Sequence, residues 1–334
     1  MLEKKPAKMA SRCILFLSLL LAAVLFPLVI HQPLLQHIMI IVFLYATIAG
    51  GWNIISGYCG QVSLGHVVFF GIGAYTSTLL LQRFGLSPWI GMCTAVCVSL
   101  FLATLIGLPC FKLAGHYFVI ATWAIGEIVQ TIVINWDWVG GATGLYVPIL
   151  PPSLVNMQFH TTKIPYYYIA LGMVTGLIAL NYGVEKSKLG YYFRAIKSDP
   201  AAARSIGINP TKYKLFAFYL GAIPTTVAGT FYAQYLFFID PETVFQLMLS
   251  VLMIVVVVVG GVGTIWGPLL GAAVLLPVSE FTRLYIGGGG RALDMIVYGV
   301  LIIIVAEYEP AGMAGIIRRL KWERKHSDAV VGNK

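Results

Sequence analysis

Residues 183–214 read GVEKSKLGYYFRAIKSDPAAARSIGINPTKYK, and the basic character of this stretch sets the arrangement of the rest of the chain. It holds seven of the 22 Lys and Arg residues: Lys186, Lys188, Arg194, Lys197, Arg204, Lys212 and Lys214. The sequence on either side is almost wholly apolar. Loops rich in Lys and Arg stay on the side of the membrane where synthesis occurs, so 183–214 is expected to be a cytoplasmic loop between two spans. Inside it, Ser198-Asp199-Pro200 reads as a helix start, with Asp199 as N-cap and Pro200 in the first helical position. Ala201, Ala202 and Ala203 favour helix, and Gly207 with Asn209-Pro210 ends it. A short helix held just under a membrane is suited to press on a soluble partner.

Composition supports that setting. Hydrophobic residues make up 59 % of the chain and charged residues 10 %, against about 25 % charged in ordinary soluble domains. The formal net charge of +9 could point to nucleic acid, but its placement argues otherwise. Basic residues gather at the N-terminus (Lys4, Lys5, Lys8, Arg12), at Lys112, in the central loop and in the 308–334 tail (Arg318, Arg319, Lys321, Arg324, Lys325, Lys334). Only Arg83, Lys163, Arg283 and Arg291 lie elsewhere. That asymmetry is a topology signal, and no nucleic-acid partner is expected. The five cysteines (Cys13, Cys59, Cys93, Cys97, Cys110) sit in or beside apolar spans. Cys93 and Cys97 have helical i, i+4 spacing but no His or carboxylate neighbours, so they are expected to be buried small side chains and no metal site is assigned.

Apolar runs long enough to cross a bilayer occur near 14–30, 35–55, 67–82, 89–109, 116–135, 165–182, 215–237, 244–262, 268–286 and 293–307. The basic N-terminus before 14–30 imitates a signal peptide, but His31-Gln32-Pro33-Leu34 follows without a small-residue cleavage pattern, so an uncleaved first span is expected. Ten spans place both termini, Lys112 and 183–214 in the cytoplasm, and 136–164 outside. The fold class expected is an all-α integral membrane protein: one polytopic helical bundle over 1–334 of about ten spans, with glycine-rich breaks. Trp136, Trp138 and Pro151-Pro152 in the outer segment read either as interfacial anchors or as a mouth that meets an external partner.

Three stretches could carry function. Gly57-Tyr58-Cys59-Gly60-Gln61-Val62-Ser63-Leu64-Gly65-His66 interrupts apolar sequence with Gln61, Ser63 and His66. It reads either as a broken or re-entrant segment lining a translocation pathway, or as a plain glycine-rich turn. In the second stretch, Glu127 lies in mid-span with Gln130 one turn on. An ionisable group inside a span is costly, so Glu127 either faces a polar pathway or ties helices together. Glu280, with Arg283 one turn away, faces the same choice. In the third, Gly260–Ala272, Gly263, Gly267 and Gly271 recur every four residues and read as a close helix-packing stripe. The two glycine-rich breaks fall between spans two and three and spans eight and nine, a hint of an internal repeat. The chain has no G-x-x-x-x-G-K-[ST], H-E-x-x-H or G-x-S-x-G pattern, so neither a P-loop nor those catalytic motifs are present.

Four stretches together resemble the LivM-like permease subunits of bacterial ABC importers for branched-chain amino acids: Gly57–Tyr75, Ala121–Gly144, Arg194–Gly207 with the following KLFAF, and Gly260–Ala272. They are spread over nearly the whole chain. Such permeases carry an E-A-A-x-x-x-G signature in the loop that docks on the ATPase; Ala202, Ala203 and Gly207 fit the spacing, and Ala201 stands at the Glu position. The resemblance implies a non-enzymatic transport subunit in the bacterial inner membrane. The coupling residues would be Arg194, Asp199, Ala201, Ala202, Ala203 and Gly207. It implies a heterodimer with a LivH-like permease, two ATPase subunits that bind ATP and Mg, and an extracytoplasmic substrate-binding protein, with no cofactor on this chain. Two other readings remain open: the same machine carrying urea, short amides or another small zwitterion, and an ion-coupled secondary transporter using Glu127 and Glu280.

Overall fold

The computed structural model describes residues 18, 21–113, 115–286, 296, 299, 300, 307 and 312–315. Each expected span from the second to the ninth forms a helix. Helix α1 covers 21–29; α2 is Pro33–Asn53 and runs on into a π-helical turn, Ile54–Tyr58. Then follow α3 (Val67–Phe84), α4 (Pro88–Cys110), α5 (His116–Ile134) and α6 (Ile164–Lys186). The basic loop forms α7 (Lys188–Ser198) and α8 (Pro200–Ser205). The chain continues through α9 (Pro210–Leu236), α10 (Pro241–Val244), α11 (Leu247–Gly260) and α12 (Gly267–Ile286). Among the described residues seven helices are long and apolar enough to cross a membrane, and an eighth, Gly267–Thr282, is apolar but shorter. The start of the expected first span, most of the expected tenth span and nearly all of the basic tail lie outside the described residues.

Proline at the first helical position starts α2, α4, α9 and α10, and a side-chain oxygen caps three of them. The caps are Ser87 on Trp89 N, Asn209 on Lys212 N and Asp240 on Thr243 N. Helix α2 is the axis of the bundle and packs on α6, α9, α11 and α12, while α9 also packs on α3 and α4. The α3–α9 contact depends on close backbone approach. A Cβ at Gly73 would lie 2.0 Å from Thr226 O, and one at Gly229 would lie 2.0 Å from Phe70 O. Side-chain removal at such points brings dispersion contacts and weak Cα–H···O pairs together where no hydrophobic force separates helix from lipid. An aromatic cluster fills the bundle near α7 and α8, with Phe69 edge-on to Phe218 at 4.9 Å and Phe111 stacked on Phe118 at 5.3 Å.

The segment between α5 and α6 forms an ordered cap over the opposite end. Leu145–Tyr146 (β1) pairs antiparallel with Phe238–Ile239 (β2) just after α9. Gln158, fully buried, accepts from Leu150 N at 2.8 Å and donates to Pro148 O at 2.8 Å. Trp89 and Ser87 donate to the carbonyls of Leu154 and Val155, which ties the cap to the start of α4. Trp136 and Trp138 are exposed, and the Arg83 guanidinium stands 5.9 Å from the Trp138 ring.

Candidate functional site

At the basic end, Asp199 links two helices. Its carboxylate accepts from Ala201 N at 2.7 Å and Ala202 N at 3.2 Å, satisfying two otherwise free donors at the start of α8. The far end closes as a Schellman motif. Ile208 N donates to Ala203 O and Gly207 N to Arg204 O, with Gly207 at φ +87°, where glycine carries no steric penalty. Ala203 is buried, whereas Ala201, Ala202, Arg204, Ser205 and Gly207 are exposed and Ile206 is 72 % exposed. Arg194 stacks on Tyr191 at 5.0 Å. A shallow recess of about 380 Å³ lies beside α8, lined by Arg204, Gly207, Ile208, Asn209 and Thr211. Helix α7 is not among the sequence expectations. Its signal was the i, i+3 spacing of Gly190, Phe193 and Ile196, the three residues it buries, inside a basic loop.

Helix α7 is fastened to the first glycine-rich break. Lys197 Nζ donates to Gly57 O at 2.8 Å, within the π-helical turn. After that turn the chain folds back along α2, because Trp52 Nε1 donates to Ser63 O at 2.7 Å. Leu64 N donates to Thr122 Oγ1 of α5 at 3.2 Å. The His66 ring is fully buried, with Nε2 3.2 Å from Gly221 O and 3.1 Å from Thr225 Oγ1 on α9. Gly221 follows the start of α9 at Pro210 by about 16 Å of helix. The 57–66 stretch therefore penetrates the bundle and is more than a surface turn. Irregular backbone at that depth needs protein partners, which Trp52 and Thr122 supply. Ser63 Oγ and His66 Nδ1 are buried with no hydrogen-bond partner; Gln61 is half-buried and Val62 exposed.

The second break touches the first. Asn53 Oδ1 accepts from Gly263 N at 2.8 Å, and Asn53 Nδ2 donates to Thr264 O at 3.0 Å. A Cβ at Gly57 would lie 2.7 Å from Gly263 N. Gly263, at φ +71°, belongs to this turn and not to a helix. The close α11–α12 approach runs through Gly260, Gly267 and Gly271 instead. A Cβ on Gly260 would meet Gly267 O at 1.8 Å, and one on Gly271 would meet Val256 O at 1.9 Å. Asn53 was not singled out in the sequence, and Lys197 was read only as one of the basic residues of the loop, since the partners of both are backbone atoms far along the chain.

Helix α5 separates the remaining candidates. It turns Phe118, Thr122 and Gly126 inward, and Gly126 lies against Gly65 of the break. Glu127, the next residue, is exposed, with one oxygen 3.2 Å from Trp123 Nε1; Gln130 is half-buried. Ser63 and His66 are thus gathered inside the bundle, whereas Glu127 points away from it. Glu280 is half-buried on α12, and its expected pairing with Arg283 rests on a side chain outside the described ones. The expectation of buried cysteines holds for Cys59 and Cys110 and is corrected for Cys93 and Cys97, which are exposed on the outer face of α4; Cys13 lies outside the described residues. Among the described residues no group of three His, Cys, Asp or Glu could hold a metal ion. At the opposite end a cleft of about 770 Å³, unanticipated from sequence, is lined by residues including His31, His37, His160, Lys163 and Tyr235.

Comparison with known proteins gives this geometry a family. The chain is 28 % identical over 324 residues to the high-affinity branched-chain amino acid transport system permease protein LivM of Salmonella typhimurium, covering 90 % of this chain and 75 % of the relative. It is 26 % identical over 289 residues to the permease protein BraD of Pseudomonas aeruginosa, covering 81 % of this chain and 91 % of that one. LivH of Escherichia coli is 25 % identical over 289 residues, again 81 % of this chain and 91 % of the relative. No solved structure matches the chain. Residues 34–306 match the family described as "Branched-chain amino acid transport system / permease component", a range that holds both glycine-rich breaks, α5, α7 and α8. The chain belongs to the branched-chain amino acid transport system permease family.

Proposed function

We propose that the chain is one of two permease subunits of an importer for branched-chain amino acids in a bacterial inner membrane, with ATP hydrolysis performed by separate subunits. The observation that carries the reading is the α7–α8 element: an exposed, doubly capped helix on a basic loop, within a chain whose residues 34–306 match the permease family. In this reading the bundle has about ten spans, both termini are cytoplasmic, and α7–α8 projects into the cytoplasm. Ala201, Ala202, Ile206 and Gly207 present small and apolar contact surface to an ATPase that binds ATP and Mg. The recess beside Arg204 accepts a side chain of that partner.

Movement of α8 then has a short path into the membrane. Ala203 packs α8 onto the bundle, and α7 carries Lys197, whose bond to Gly57 O reaches the π-helical turn. Asn53 joins that turn to the 261–264 turn, so a shift of α7 bears on α2, α11 and α12 together. Gln61, Ser63, His66, Glu127 and Gln130 border the pathway that opens, while Gly260, Gly267 and Gly271 keep α11 and α12 in close contact. An extracytoplasmic binding protein delivers substrate at the end that carries the His37–Lys163 cleft. No covalent chemistry is asked of this chain.

The test is ATP-dependent leucine uptake into proteoliposomes by the complex purified through this tagged chain. Uptake that needs ATP, a co-purified P-loop ATPase and a second multi-span permease supports the reading. Leucine movement by the chain alone along an ion gradient contradicts the machine. ATP-driven uptake of urea or a short amide, with leucine inactive, contradicts the cargo.

A further inference from the structure

Two peripheral helices show what the outer surface of the bundle must meet. On α4 the exposed residues are apolar, Ile90, Val98, Phe101, Leu105 and Leu108 among them. The polar groups of α4 are satisfied within the chain. Thr94 bonds Gly91 O, Thr104 meets Tyr219 Oη, and Ser99 receives Thr226 Oγ1 at 2.7 Å. That surface suits lipid.

Helix α5 differs. Glu127, Thr131 and Trp123 share its exposed face with Ile120, Ile128 and Tyr117. Glu127 lies about 16 Å along the helix from His116, deep within a span, yet receives only the Trp123 indole among the described residues. A carboxylate offers about four acceptor positions. Acyl chains can fill none of them, and ionisable residues inside a span face protein or a water-filled cavity. The opposite side of the same helix, Thr122 and Gly126, is already occupied by the re-entering segment, so the Glu127 face, exposed among the described residues, is left to a group outside this chain.

We infer that the Tyr117–Thr131 face of α5 is the seam with the second permease chain, and that this partner presents a hydrogen-bond donor to Glu127 at mid-membrane depth. The inference rests on the proposed two-permease importer and adds where the two chains meet. Relatives bearing two different permease names, LivM and LivH, both align with this chain, so a second chain of the same family is the occupant argued for. A homodimer and a lipid-filled face are the competing outcomes.

The experiment places the photo-crosslinking residue p-benzoylphenylalanine at Ile128 or Ile120 of α5, and at Phe101 or Leu105 of α4, in the full chain in its native membranes. Irradiation is expected to join the α5 positions to the second permease and to leave the α4 positions without a protein adduct. Adducts of α5 with another copy of this chain, adducts of α5 with lipid only, or adducts of α4 with the second permease would each overturn the seam. Glu127→Gln, which keeps an acceptor oxygen at the same place, should retain the α5 adduct, while Glu127→Leu should weaken it. Equal adducts in both variants would remove Glu127 from the seam. If no second permease co-purifies at all, the importer reading itself fails, an outcome distinct from a second permease that is present but joined elsewhere.

Discussion

Helices α4 and α5 are both peripheral, both expected as spans from hydropathy alone, and both leave much of their surface uncovered by this chain. Their outer faces differ in kind. Helix α4 shows Phe101, Leu105 and two cysteines, and its hydroxyls bend back to its own carbonyls or to α9. Helix α5 shows a carboxylate with one bond where several are available. The difference teaches that accessible surface in a membrane protein has no single meaning: lipid satisfies the first face and cannot satisfy the second.

The largest expected effect comes from writing the α5 chemistry onto α4. Phe101→Glu should remove most of the inserted protein, because a carboxylate at the lipid-facing centre of a span costs about 3 kcal/mol or more, measured as the steady-state level in membranes. Ile128→Glu on α5 should leave far more protein in place when the second permease is co-expressed; equal loss at both positions would erase the comparison. Next is Glu127→Gln, expected to lower leucine uptake by about ten-fold, on the scale of one lost charge-assisted hydrogen bond, while membrane levels stay near wild type. Parallel loss of level and uptake would make Glu127 a structural residue. The smallest effect belongs to Cys93→Ser with Cys97→Ser, expected to stay within about 1 kcal/mol of wild-type thermal stability. The native thiols at these positions should react with a lipid-soluble maleimide, whereas a thiol introduced by Ala124→Cys should be shielded in the assembled complex.

Some of this was legible in the sequence for local reasons. Asp199-Pro200 and Gly207 bound α8 because caps are short-range chemistry, and the structure places Asp199 on the donors of Ala201 and Ala202. Hydropathy located α2 to α6, α9, α11 and α12 because length and apolarity suffice for that. What the sequence left open depends on distant contacts. The return of 57–66 into the bundle rests on Trp52 and Thr122 reaching backbone atoms, and no local pattern encodes those bonds. Gly263 shares the spacing of Gly267 and Gly271 but sits in a turn, since period alone does not mark where a helix starts. Helix α7 was hidden because its basic residues marked it as loop while only Gly190, Phe193 and Ile196, a short stripe, are buried. The direction of Glu127 followed from which side of α5 the break occupies, which is a tertiary fact.

The central claim is that α8 transmits ATPase movement, and substrate-stimulated ATP hydrolysis by the reconstituted complex tests it most directly. Ala202 is exposed and Ala203 is buried, so the two neighbours separate docking from folding. Ala202→Trp is predicted to insert, assemble with the second permease and lose stimulation, whereas Ala203→Trp is predicted to lower the amount of folded protein. Undiminished stimulation in the Ala202→Trp complex would contradict α8 as the coupling element.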